Sequence, residues 1–301
     1  MARWIGRTLA ADPPRARSLL VTVWGDALEP HGGVVWLSSL IRLMAPFGIN
    51  ERLVRTSVFR LAADGWLAAE TVGRQSRYHL TASGARRFAD AYRRIYAPPQ
   101  AHWDGEWEVA LVAADLPAAL RAQLRDELRW AGFGAFAPGV YAHPAREASA
   151  AAPIAAALGV ADRVIVLSSR DDPQSGTATL AQAAAAAWDL PALAAAYRRL
   201  LSRFGAVIDR FRQGDTALLD AGQCFVVRSL LIHAYRRAML RDPQLPSALL
   251  PLDWPGAAAY ALTCDFYRLT QPHAERHLAA TIDDPLPPAS AEFYERFGGL
   301  R

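Results

Sequence analysis

The chain has 301 residues, more than one compact core usually holds, so two or three domains are expected. Apolar residues make up 52%, too much for a disordered chain, and the 33 basic residues, all arginine, exceed the 29 acidic ones by four. The excess is uneven, because residues 1–96 hold 14 Arg against 7 Asp and Glu while residues 97–301 hold 19 against 22. A basic front on an acidic remainder points to a polyanion partner for the front only. No stretch approaches the length of apolar chain that spans a membrane, and the start, MARWIGRTLAADPPRAR, has too short an apolar run for a secretion signal. Cys224 and Cys264 form neither a metal-ligand spacing nor a disulfide framework, so a reducing cytoplasm is the expected setting.

Helical spacing of Leu19, Leu20, Val23, Trp24 and Leu28 predicts a helix over 15–30, ended by Gly32-Gly33. Trp36, Leu37, Leu40, Ile41 and Met44 predict a second, stopping near Pro46-Phe47-Gly48. Asn50 stands as the N-cap of a third, which Gly65 ends. Residues 66–72 read as a strand, Gly73 to Ser76 as a turn and 77–80 as the returning strand. Thr81 to Tyr96 follows as a connecting helix, capped by Thr81 or Ser83. Three helices and a basic hairpin predict a winged helix-turn-helix.

Punctuation falls at Pro98-Pro99, Asp171-Asp172-Pro173 and Pro285 to Pro288. Between the first two, strands at 107–112, 135–141 and 163–168 alternate with helices at 116–131 and 150–158. This β-α-β-α-β order predicts a ferredoxin-like α/β domain. The Ala-rich stretch 178–196 is broken at Asp189 and Pro191, and the remainder reads as helical. The fold class is therefore α+β and multidomain, divided as 1–97, 98–175 and 176–301.

On the third helix Val54, Val58 and Leu61 share an inward face, while Arg52, Thr56 and Phe59 lie opposite and Arg55 flanks them. Arginine suits guanine edges or phosphates, so this half suits a recognition helix. Arg74 and Arg77 at the hairpin tip suit phosphate or minor-groove contact.

The runs Gly33-Val34-Val35-Trp36, Phe47 to Ser57, Gly65-Trp66-Leu67 and Gly73 to Thr81 resemble the PaaX family of bacterial repressors. So do Gly132-Phe133-Gly134, Pro138 to Tyr141 and, most closely, HAYRRAMLRDPQLPSALLPLDWPG at 233–256. The resemblance covers most of 17–270. It implies a homodimeric, non-enzymatic repressor of phenylacetate catabolism genes, without a cofactor, that leaves operator DNA on binding an acyl-CoA effector such as phenylacetyl-CoA. By the same likeness Arg52, Arg55, Thr56 and Ser57 would be helix contacts and Arg74 and Arg77 wing contacts.

The middle segment also resembles the small CRISPR-associated ferredoxin-fold nucleases, in which an acidic metal ligand ends the first strand as Asp115 does. Asp115 before Leu116-Pro117 is equally a helix N-cap, and the cap is the reading adopted. If 224–241 is one helix, His233, Arg237 and Arg241 form a single column. Such a column either pairs internally with Asp242 or Asp253 or holds the effector's phosphates. Trp254 and Tyr260 are expected in the core. His31, His79, His102, His143, His273 and His277 suggest no metal cluster. The rival readings are a metal-dependent nuclease on Asp115, an acyl-CoA enzyme, and a DNA-binding module that works through a partner protein.

Overall fold

The computed structural model describes residues 1–98, 103–144, 149–170, 177–212 and 220–300. Pro99, His102 and Asp171-Asp172-Pro173 lie outside these residues. Two units emerge: Met1–Pro98 with Arg198–Arg237 and Ala258–Arg301, and Pro99–Tyr197 with Ala238–Ala257. The segment expected as one C-terminal domain thus supplies residues to both.

The first unit begins with α1 (Ala2–Ala11) and α2 (Ala16–Val23). The single helix expected over 15–30 changes type after Val23. A π-helical turn covers Trp24–Leu28 and a 3-10 turn covers Glu29–His31. Pro30 lacks the N–H that an unbroken α-helix would use there. The wide turn leaves Trp24, Asp26, Ala27 and Leu28 all buried.

Strand β1 (Val35–Trp36) was not foreseen; two residues are too short to carry a period. Helix α3 (Leu37–Met44), α4 (Glu51–Ala63), β2 (Leu67–Val72), β3 (Gln75–Leu80) and α5 (Ala82–Tyr96) follow. The sheet has the order β1-β3-β2, all antiparallel, with Trp36 opposite Arg77 and Glu70 opposite Arg77. Leu19, Leu20, Val23, Leu40, Val54 and Val58 are fully buried, and α2 packs on α4. Thr81, not Ser83, caps α5, accepting from the Gly84 amide at 2.9 Å.

The second unit contains β4 (Glu106–Val112), α6 (Ala118–Trp130), β5 (Gly134–Ala137), β6 (Val140–Pro144), α7 (Ala151–Ala157) and β7 (Val164–Arg170). The strand expected at 135–141 is in fact two, folded back at Pro138-Gly139, so the order is β-α-β-β-α-β. The antiparallel sheet runs β5-β6-β4-β7. One side packs Ala110 and Tyr141 against Leu124 and Leu128 of α6 and Ala151 and Ala155 of α7. The other packs Trp107 and Ala142 against Ala184, Leu190, Leu245 and Leu249.

Helices α8 (Thr177–Ala187), α9 (Leu190–Arg212), α10 (Ala221–Met239), α11 (Gly256–Thr281) and α12 (Ala291–Glu295) complete the chain. No described helix is long and apolar enough to cross a membrane.

Candidate nucleic-acid interface

Helix α4 begins where its sequence says it should. The Leu53 amide donates to Asn50 Oδ1 at 3.0 Å, satisfying one of the free amides of the first turn. Val54, Val58 and Leu61 turn inward, while Arg52, Arg55, Thr56, Phe59 and Arg60 are exposed. Arg55 pairs with Glu51 at 2.7 Å, one turn earlier. Both are half-exposed, so the pair contributes little to stability and can be exchanged for a phosphate. The Thr56 hydroxyl donates to the Arg52 carbonyl at 2.9 Å, and its oxygen remains able to accept. Ser57 corrects the expectation. It is 5% exposed and donates to the Leu53 carbonyl at 2.7 Å, on the side that faces the core.

The hairpin turns through two residues, because Val72 pairs directly with Gln75. Gly73 takes φ 61°, the left-handed value that the first central position of a II′ turn requires. This leaves Arg74 exposed at the tip. Arg77 stands further back. Its guanidinium meets Glu70 across the ladder at 2.7 Å and lies over the Trp36 ring, 5.6 Å from the centroid. Trp36 is itself fixed by donating from Nε1 to Asp284 at 2.7 Å. Arg77 therefore braces the hairpin, and Arg74 is the cation at its tip.

Three family models match the chain in order. A PaaX-like protein model matches 15–84, the PaaX protein central Cas2-like domain matches 100–182, and the PaaX-like protein C-terminal domain matches 188–280. The transcriptional repressor PaaX of Escherichia coli (strain K12) is 33% identical over 300 residues, covering 99% of this chain and 94% of that one. The chain belongs to the PaaX family. Among solved structures, uncharacterized protein Rv0674 from Mycobacterium tuberculosis is similar, with 29% identity and a TM-score of 0.57 over 88% of this chain and 98% of that one.

The first PaaX match ends just beyond the hairpin, so it contains α2 to β3 and every candidate contact on α4 and the wing. The third match contains α10, where the expected column of His233, Arg237 and Arg241 does not form. Helix α10 ends at Met239, so Arg241 lies beyond it. His233 is buried, with Nδ1 2.8 Å from the Thr22 hydroxyl. Burial, then the charges of Arg236 and Arg237, push its pKa down to about 3. Arg237 and Arg241 are exposed. Asp242, a suggested partner, accepts from the buried Tyr197 hydroxyl at 2.6 Å. The sequence reading passed over Arg236. It lines a cavity of about 60 Å³ with Thr22, Phe88, Tyr92 and Ile232.

Sequence reasoning also missed the charged interior of the first unit in this PaaX-family chain. Asp26, on the π-helical turn, accepts from the Tyr96 and Tyr267 hydroxyls at 2.7 and 3.0 Å. Arg296 donates to the Asp26 carbonyl at 2.9 Å. Its guanidinium lies 4.1 Å from the Tyr96 centroid and 4.8 Å from that of Phe293. Arg228 meets Asp26 at 3.2 Å and Glu275 at 2.9 Å. Glu275 also meets His31 at 2.8 Å. Burial raises the Tyr96 pKa well above that of a free tyrosine, and the adjacent Asp26 adds to it. A single Arg inside the apolar run Cys224 to His233 was the available signal.

Asp115 caps nothing. Pro117 holds the N-cap position of α6, and Asp115 pairs with Arg163, which lowers its pKa. His273 meets Arg276 at 2.7 Å, and the His277 ring lies 5.0 Å from Phe225. Among the described residues no group of three His, Cys, Asp or Glu could hold a metal ion.

Proposed function

We propose that the chain is a DNA-binding transcriptional repressor of a phenylacetate-type aromatic catabolic operon, not an enzyme, working as a cytoplasmic homodimer. The observation that carries this is the end-to-end similarity to a transcriptional repressor. The geometry adds an outward arginine face on α4 and a cationic hairpin tip, both in the basic front of the chain. On this reading α2 to β3 form a winged helix-turn-helix. The β-α-β-β-α-β order of the second unit supports a ferredoxin-like middle, and the three family matches support three parts in chain order, the central one running to residue 182.

Arg52, Arg55 and Thr56 address base edges and phosphates in the major groove, and Arg74 takes a backbone phosphate. Arg77 keeps the wing in register. An acyl-CoA such as phenylacetyl-CoA releases the DNA by binding one dimer geometry better than the other. Exposed Arg237 and Arg241 are the phosphate-binding candidates. Neutral His233 orders α2 through Thr22, and Arg236 with Phe88 and Tyr92 offers a wall for a small acyl group.

The test is a gel-shift titration on DNA upstream of the gene itself, with a panel of CoA thioesters. Release by an arylacetyl thioester but not by free CoA is expected. Binding that no thioester alters would favour a module acting through a partner protein.

A further inference from the structure

Helix α4 exposes two large apolar side chains, Leu53 on its flank and, more fully, Phe59 on the face opposite the core. Phe59 is 73% exposed. At 100° per residue it points about 150° away from the mean direction of buried Val54, Ser57, Val58 and Leu61, and about 20° from Arg52. A phenylalanine held in that direction buries little surface on folding. It is also a poorer helix former than the arginines beside it. Its exposed neighbours one turn earlier are Arg55 and Thr56, and Arg52 follows a turn further back on the same face, so whatever covers the ring also has to accept guanidinium groups.

A DNA major groove meets both demands. Its floor offers one apolar group, the C5-methyl of thymine, amid acceptors that suit arginine. We infer that Phe59 is a specificity-determining residue that reads a thymine methyl. It lies two helical turns beyond Arg52, about 10.5 Å along the axis, which places the thymine within about three base pairs of the pair that Arg52 addresses. The inference rests on the DNA-binding reading above and adds the base that the ring selects.

The experiment uses the full chain. Wild-type protein selects duplexes from a randomised pool, and the enriched duplex becomes the probe. Each thymine is then replaced by uracil, which removes the methyl and keeps the pairing. Affinities are measured by fluorescence anisotropy for wild type, Phe59→Ala and Phe59→Leu, with circular dichroism confirming the fold. At one position the uracil swap should weaken wild type about five- to tenfold. Phe59→Ala should bind the thymine duplex about as weakly and ignore the swap, and Phe59→Leu should fall between. A swap penalty that persists in Phe59→Ala overturns the inference. So does unchanged DNA affinity in that variant, and if its sedimentation then shifts, the ring belongs to a protein contact. A pool from which wild type enriches no sequence overturns the DNA-binding reading itself, and this inference with it.

Discussion

Arg228 and Asp26 meet inside the first unit with Nε 3.2 Å from Oδ2, at side-chain exposures of 0% and 1%. With Glu275 and Arg296 they make a charge-balanced interior, in which removing one member leaves another charge uncompensated. Asp26→Ala should therefore cost about 3–5 kcal/mol in urea unfolding. Asp26→Asn, which keeps the acceptor for Tyr96 and Tyr267, should cost less. Equal stability of wild type and Asp26→Ala would show that this charged interior does not stabilise the fold.

The buried His233 fixes the sign of an acid effect. Its folded pKa is pushed down to about 3, against an ordinary value of 6.5. Below pH 6.5 the unfolded chain takes up a proton that the folded chain refuses, so stability present above 6.5 is lost as pH falls towards 3. Between pH 7 and pH 5 this group should cost about 2 kcal/mol. His233→Asn, which keeps a partner for Thr22, should lose about that much less over the same interval. Matching losses in both proteins would show that His233 does not titrate in this way.

Gly84 lies under the hairpin where no side chain fits. A Cβ there would stand 2.2 Å from the Trp66 carbonyl oxygen, a backbone atom that cannot rotate aside. Gly84→Ala should cost about 1–3 kcal/mol, read by thermal unfolding. It should also weaken DNA binding, because Trp66 immediately precedes β2.

Arg52 and Arg74 should fail differently. Arg74→Ala should weaken binding to all sequences alike and lower the slope of log affinity against log salt by about one. Arg52→Ala should cost about 1–3 kcal/mol on the preferred sequence and less on random DNA. Ser57→Ala, whose hydroxyl is spent on Leu53, should leave DNA affinity within about twofold. Anisotropy titrations at several salt concentrations separate the three.

What the sequence made legible was local. Asn50 as a cap, Gly65 as a stop and the Gly73 turn depend on a few neighbouring residues, and each stands where expected. The exposed side of α4 followed from the helical period alone, apart from Ser57, which came by family likeness and faces inward. What was not legible depended on distance along the chain. Val35-Trp36 becomes a strand only because residues 77 and 78 lie beside it. Asp115 reads as a cap until Arg163, 48 residues later, is placed against it. Asp26 and Arg296 are 270 residues apart, and neither local pattern announces the other. The helix expected over 224–241 stops at Met239, which takes Arg241 out of the column expected at 233, 237 and 241.

If α4 and the hairpin tip form the DNA-binding surface, a gel shift on DNA upstream of the gene should separate wild type from the folded triple variant Arg52→Ala, Arg55→Ala, Arg74→Ala. Wild type should give a salt-sensitive complex, with an affinity at least about a hundredfold lower in the variant. A variant that binds the same DNA within about threefold of wild type would contradict that placement.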